Sequence, residues 1–448
     1  MSDLPARLPI DPLPGPFDVT HRPPGSKSLT NRALLLAALA DDQSTIRHAL
    51  RADDTRVMLE ALTKLGFAVE DEGECLRVTG RAGSIPSHAA ELHLGNSGTT
   101  TRSLAAAVCL DHGTFILDGV PRMRQRPIGE LVDALKQLGV GSVAYLGEPG
   151  YPPLQVHAAG LTGGEITLKP TLSSQFITAL LLAAPCMERG LTIAFEGPVT
   201  SQPYVELTIA IMAEFGVTAA PTHDEAGRLT AVSVPLGRYA STDYTVEPDA
   251  GSASYFMAAA AAVPGSRIAI DGLGGDSVQG EAAFADALEQ MGAIVTKTAD
   301  ATTVAAPPDG KLKPIDMDCD PITDSAMTLA AIAAIADGDS AIRNVGNWRV
   351  KETDRLNAMC NELNKLGCIA QIRGDDLLIT PPFDGELTPS LVKTYDDHRI
   401  AMAFGVLGLA RPGVTIDDPA CVAKTYPQFF TDLDKLRGVQ KVGVTDER

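Results

Sequence analysis

PPGSKSLTNR-ALLLAALA-DDQ-STIRHAL, residues 23–50, joins three kinds of segment: a polar, glycine-containing leader, an all-apolar Ala/Leu helix and a short strand. The same order returns five times. The apolar segments are SLAAAVCL (103–110), ITALLLAAP (177–185), YFMAAAAAVP (255–264), MTLAAIAAIA (327–336) and AMAFGVLGLA (401–410). The junctions before the strands are Asp42, Gly113, Gly190, Gly265, Gly338 and Gly413, at intervals of 71, 77, 75, 73 and 75 residues. A second, amphipathic helix follows each strand and stops at Gly66, Gly139, Gly216, Gly292, Gly367 or Gly438. Apolar residues three and four apart with a closing Gly are the stripe and C-terminal cap of a surface helix. Each repeat therefore carries one internal helix, one covering helix and several strands. Six copies make an α/β protein of repeated units.

The leaders are PPGSKSLTNR (23–32), LGNSGTTTR (94–102), PTLSSQF (170–176), EPDAGSASYF (247–256), PITDSAM (321–327) and TYDDHR (394–399). Ser, Thr, Asn and Asp cap helices by accepting hydrogen bonds from unpaired amides. Helix N-termini also hold anions, through free N–H groups and partial positive charge. Three leaders end in Arg32, Arg102 and Arg399. Read as loops before buried helices, six such leaders describe an anion site.

Composition narrows the function classes. The chain has 448 residues, 45% hydrophobic and 21% charged, which suits a globular chain of two or more domains. Its net charge of −19 argues against nucleic acid and anionic membranes as partners. The seven cysteines form no CxxC pair, so neither a zinc site nor a disulfide framework is expected. No apolar run approaches the ~20 residues that span a bilayer, and residues 1–22 carry no signal-peptide pattern. A cytoplasmic location follows as the expectation.

In this acidic chain the cations are grouped. Arg122, Arg124 and Arg126 fall in PRMRQRPIG (121–129), and Arg349, Lys351 and Arg355 in NWRVKETDR (347–355); Lys27, Arg32, Arg102, Arg399 and Lys424 join them. Such groups suit small polyanions, with Arg122 and Arg124 read as a solvated rim. GSKS (25–28) lacks the upstream Gly of a phosphate-binding P-loop, and GLGG (272–275) does not complete a dinucleotide fingerprint.

PGSKSLTNRALLLAALA, LGNSGTTTR, PRMRQRPIG, LSSQF, SQPY, NWRVKETDRL, YDDHR and AKTYPQ together resemble the 5-enolpyruvylshikimate-3-phosphate (EPSP) synthase family, from about residue 22 to about 430. The resemblance implies a two-domain enolpyruvyltransferase fold of six βαβαββ repeats, three per domain around a pseudo-threefold axis. The domains would be residues 1–22 plus 246–448 and residues 23–245, with the active site in the cleft between them. It implies phosphoenolpyruvate and shikimate 3-phosphate as substrates, no metal or organic cofactor, and a monomer. The enolpyruvyl group would pass to the 5-hydroxyl through a tetrahedral intermediate, in the shikimate pathway to aromatic amino acids. By the same resemblance Lys27, Asn96, Gly98, Arg126, Gln175, Arg355, Arg399 and Lys424 would hold phosphoenolpyruvate. Lys27, Ser28, Arg32, Ser173, Ser174, Gln175, Ser201, Tyr204, Asp324, Asn347 and Lys351 would hold shikimate 3-phosphate. Asp324 would be the base for the hydroxyl, Lys27 and Glu352 the proton-transfer pair at the methylene carbon, in either order, and His398 a proton relay near the site.

Two rivals remain at this stage. The sister enolpyruvyltransferase acting on UDP-N-acetylglucosamine typically has a reactive Cys before its RPIG segment, and residues 119–126 contain none. A non-catalytic anion binder of the same fold would not need Lys27, Asp324 and Glu352 together. The second leader departs from the family pattern at Ser97, Thr100, Thr101 and Ser103. Ser103 replaces a proline read as helix N-terminal, a change expected to loosen the turn at Gly98. It would thereby alter sensitivity to glyphosate, which occupies the phosphoenolpyruvate subsite in that family, although the retained Gly98 points to ordinary sensitivity.

Overall fold

The computed structural model describes residues 4–169 and 173–438. Pro170, Thr171 and Leu172, the start of the third leader, lie outside the described residues. The chain forms two compact units: residues up to Pro24 together with those from Pro248 onward, and Gly25–Glu247. Each has its own hydrophobic core.

Among the described residues there are six sheets, three per unit. In one, Ala89–His93 runs parallel to His112–Asp118, which pairs antiparallel with Leu154–Ala159, and Ser142–Tyr145 completes the edge. Parallel strands need a crossover, and the helix Gly98–Ala107 supplies it; Gly129–Gln137 follows the central strand, giving the order βαβαββ. The first sheet of the Gly25–Glu247 unit takes its parallel edge strand, Asp243–Thr245, from the unit's far end. In the other unit Asp18–His21 plays that part beside Arg267–Asp271. The sixth repeat ends in helical turns rather than a hairpin, and Arg7–Pro9 pairs with Val414–Asp417 in its place.

The six internal helices are Lys27–Leu39, Gly98–Ala107, Ser174–Ala183, Ala250–Ala262, Ala326–Ala333 and His398–Ala410. Every residue from Leu29 to Leu39, and of Ala250–Ala262, is buried. Alanine favours this arrangement twice: it has the best helix propensity, and its small side chain lets helices approach. The last three helices pack on one another; in the other unit Gly98–Ala107 contacts both of its partners.

One expectation needs correction. Each leader ends inside the helix rather than before it: Lys27, Ser28 and Arg32 lie in the first helix and His398 and Arg399 open the last. Ser26, Ser173, Asp249 and Asp397 act as side-chain caps. Ser97 and Ser325 do not: Ser97 Oγ pairs with Thr100 Oγ1 at 2.9 Å, and Ser325 Oγ donates to Glu281. Polar residues at the start of a buried helix therefore point their side chains at other polar groups near the helix end.

Candidate active site

In the unit containing repeats four to six, the polar residues converge on Arg355. Asp354 caps the helix Arg355–Lys365 and fixes Arg355 as its first residue. The guanidinium, 1% exposed, reaches three carboxylates: Nε donates to Asp397 Oδ2 at 2.7 Å, Nη1 to Asp324 Oδ1 at 2.9 Å, and Nη2 to Glu352 Oε2 at 2.7 Å. Burial alone would loosen its proton. Asp397, Glu352 and Asp324 outweigh that and push its pKa up. Asp324 is shared more widely, with Arg399 Nη2 3.1 Å and Lys351 Nζ 3.4 Å away. Asp397 both caps the last internal helix through Arg399 N and holds Arg355. Arg399 Nη1 reaches Tyr255 Oη at 3.4 Å.

Asn347 accepts from Thr323 Oγ1 at 2.8 Å, one residue before Asp324. His398 is buried with its Nδ1 3.6 Å from Asp397 Oδ1. Lys424 ends the turn Pro419–Lys424 within electrostatic reach of Asp396. The structure thus brings Asp324, Asn347, Lys351, Glu352, Arg355, His398 and Arg399 into one polar cluster.

In the Gly25–Glu247 unit two clusters meet along the start of the helix Ser174–Ala183. Arg32 donates from Nε to Thr208 Oγ1 at 2.9 Å, and from Nη2 to Thr178 Oγ1 at 3.2 Å and the Tyr204 carbonyl at 3.3 Å. Burial lowers its pKa to about 10. Ser28 gives its carbonyl to Arg32, and Lys27 Nζ lies 3.5 Å from Asp54 Oδ2. Ser201, with φ 54°, turns the chain ahead of Tyr204. One turn of helix away from Thr178 sits Gln175, whose N–H is accepted by Ser173 Oγ; Ser174 is the first residue of this helix.

Gln175 belongs to the second cluster. Arg126 Nη1 donates to the Asn96 carbonyl at 2.9 Å and to Asn96 Oδ1 at 3.1 Å. A Cβ on Gly98 would meet Arg126 Nη2 at 2.6 Å and Gln175 Oε1 at 3.0 Å, so this position must be glycine for the two side chains to stand where they do. Gly25 of GSKS has a different reason: a Cβ there would lie 2.0 Å from the His48 carbonyl oxygen.

Other cations take structural posts. Arg124 pairs with Asp118 at 2.6 Å on the surface. Arg349 donates to the Gly374 carbonyl. Arg102 is buried and donates to the Pro127 carbonyl at 2.7 Å, holding the PRMRQRPIG segment. Ser103 is the sixth residue of its helix, not at its N-terminus. A proline there would remove an interior helical hydrogen bond, so the expectation that Ser103 loosens the turn at Gly98 has no basis in this geometry.

Sequence reasoning missed Asp54, Thr178, Thr208, Tyr255, Glu281 and Asp397. Asp397 lies inside YDDHR, and capping chemistry was a signal for it. Nothing local marks Glu281. Among the described residues no group of His, Cys, Asp and Glu has the arrangement of a metal site, and no helix is long and apolar enough to cross a membrane.

Comparison with known proteins follows the same lines. The model of the family described as EPSP synthase (3-phosphoshikimate 1-carboxyvinyltransferase) matches residues 14–433. A 3-phosphoshikimate 1-carboxyvinyltransferase of Ralstonia pickettii is 47% identical over 420 residues, 92% of this chain and 95% of that one. One of Vibrio campbellii is 45% identical over 434 residues, covering 96% and 98%. The solved EPSP synthase of Acinetobacter baumannii superposes with a TM-score of 0.78 at 25% identity, covering 97% of this chain and 98% of that one. With six α/β repeats, the first five of them βαβαββ, and with these relatives, the chain belongs to the EPSP synthase family.

Proposed function

We propose how the residues above divide the work of carboxyvinyl transfer from phosphoenolpyruvate to the 5-hydroxyl of shikimate 3-phosphate, the reaction of this family. The reaction protonates the methylene carbon of phosphoenolpyruvate while the hydroxyl oxygen, losing its proton, bonds to the neighbouring carbon. The resulting ketal then loses phosphate and one methyl proton. An acid and a base must flank one carbon, and cations must take up the phosphate charge.

Asp324 takes the hydroxyl proton. Lys27 and Glu352 serve the methylene carbon. Arg126, Arg399 and Lys424, with Asn96 and Gln175, hold phosphoenolpyruvate. Ser28, Arg32, Ser173, Ser174, Ser201, Tyr204, Asn347 and Lys351 hold the shikimate ester. Arg355 already donates from all three nitrogens to carboxylates. A substrate anion therefore reaches it by taking donors from Asp324 or Glu352, which frees those carboxylates for proton transfer.

The observation that carries this reading is the pairing of two carboxylates, Asp324 and Glu352, on one buried guanidinium. Anion binding alone has no use for buried acids beside its cations, and so the non-catalytic alternative fits less well. UDP-N-acetylglucosamine is the wrong acceptor on this reading. Phosphate release with each acceptor tests it.

Two further expectations arise here. Gly98→Ala raises KM for phosphoenolpyruvate by about tenfold or more, the scale of one displaced charged hydrogen bond at ~1.5–3 kcal/mol, while KM for shikimate 3-phosphate changes little. Equal KM values in variant and parent would contradict the placement of Arg126 and Gln175. The protein is also expected to be a cytoplasmic monomer, and light scattering after gel filtration should give a mass near 46.9 kDa; a dimer mass would overturn the monomer.

A further inference from the structure

We infer that Glu281 is a positioning residue for Asp324, fixing its main chain and setting its basicity from behind; this rests on the reading of Asp324 as the base. Glu281 lies in the turn Gly280–Ala283, which precedes the covering helix of the fourth repeat, and is 6% exposed. Its Oε1 accepts from Asp324 N at 3.1 Å and its Oε2 from Ser325 N at 3.0 Å, and the Ser325 hydroxyl donates to the same oxygen. These are amides at the start of the helix Ala326–Ala333, which Ser325 does not cap with its own side chain. A carboxylate contributed 43 residues upstream in sequence does the capping.

A serine or asparagine cap would meet that structural need without burying a charge. The carboxylate adds a second effect. Asp324 faces three cations, Lys351, Arg355 and Arg399, each of which draws on its negative charge. Glu281 sets a like charge behind it. The repulsion is mutual. Burial first, then Asp324, raises the pKa of Glu281, while Arg399 and the Ser325 hydrogen bonds oppose the rise. The Cys319 thiol feels the same charge, and the turn Asp320–Ile322, which packs against this one, brings Asp320 to it. The helix Ala250–Ala262 on which this turn packs carries no charged residue, and Asp286 of the following helix is exposed and paired with Lys297. The charge of Glu281 therefore acts chiefly on Asp324 and Arg399, and it keeps Asp324 able to accept a proton beside three cations.

The test begins with wild-type turnover from phosphoenolpyruvate and shikimate 3-phosphate; its absence would count against the proposed function, not against Glu281. Given turnover, Glu281→Gln lowers kcat by about 10- to 100-fold, the cost of a misplaced reacting group, with KM for shikimate 3-phosphate little changed. With the like charge gone Asp324 ionises more readily, so the acid limb of the kcat–pH profile moves to lower pH by about one unit. Glu281→Asp keeps the charge: it leaves that limb in place and restores part of kcat. A Gln variant with kcat within about twofold of wild type and an unmoved limb would overturn the inference, as would equal losses in both variants with no pH shift. If the Gln variant does not fold, Ser325→Ala decides. It strips one donor from Glu281, which then holds a proton more readily, and the limb again moves to lower pH; a limb that stays put overturns the inference.

Discussion

Arg355→Ala is expected to lower the melting temperature of its unit by about 10 °C and to abolish turnover. The guanidinium neutralises Asp397, Glu352 and Asp324 in a site where its own side chain is 1% exposed and that of Asp397 is 0% exposed. Breaking a buried ion pair by removing one partner costs ~3–5 kcal/mol, because the remaining charge is left uncompensated. In a domain of about this size each kcal/mol shifts the midpoint by roughly 2–4 °C. Asp397 would also lose the partner that holds it while it caps the helix His398–Ala410, which carries Arg399. Arg355→Lys should not rescue, since one ammonium cannot match a planar fork that meets three carboxylates from three sides. Calorimetry checks the stability arm. A variant that melts within about 2 °C of wild type would mean less than ~1 kcal/mol was lost and that the cluster is not the keystone of this unit.

Asp324→Ala is expected to lose turnover by about 10²- to 10⁴-fold, the range of a general base, while keeping both substrates bound. Asp324 occupies donors of Lys351, Arg355 and Arg399. Its removal adds net positive charge beside the phosphates, so affinity for phosphoenolpyruvate should hold or tighten. Titration calorimetry and steady-state rates on the same preparation separate the two effects. Turnover within about tenfold of wild type would remove Asp324 as the base. Loss of binding together with turnover would make it a scaffold for the cations instead.

The repeats were readable because buried Ala-rich helices and their glycine junctions leave a period that survives sequence drift. The strand order inside each sheet was not readable: Asp243–Thr245 and Asp18–His21 join sheets whose other strands lie far away in sequence. The leaders drew attention to the right residues but not to their conformation. Capping residues look alike whether the side chain caps, as at Asp397, or pairs elsewhere, as at Ser97. Glu352 and Arg355 stand three apart in NWRVKETDR. They form an ion pair, but Glu352 sits before the helix that Arg355 opens, and it is buried on the same guanidinium that holds Asp324. Glu281 had no local pattern at all. Its significance comes from a contact made only when the fourth and fifth repeats are brought together.

On the proposed function these buried carboxylates and cations carry out enolpyruvyl transfer to shikimate 3-phosphate. Phosphate release from phosphoenolpyruvate, measured in chelator-treated buffer with shikimate 3-phosphate and, in parallel, with UDP-N-acetylglucosamine, tests it most directly. Turnover with the shikimate ester alone is the predicted result. Turnover with the nucleotide sugar, or with neither acceptor, would contradict it.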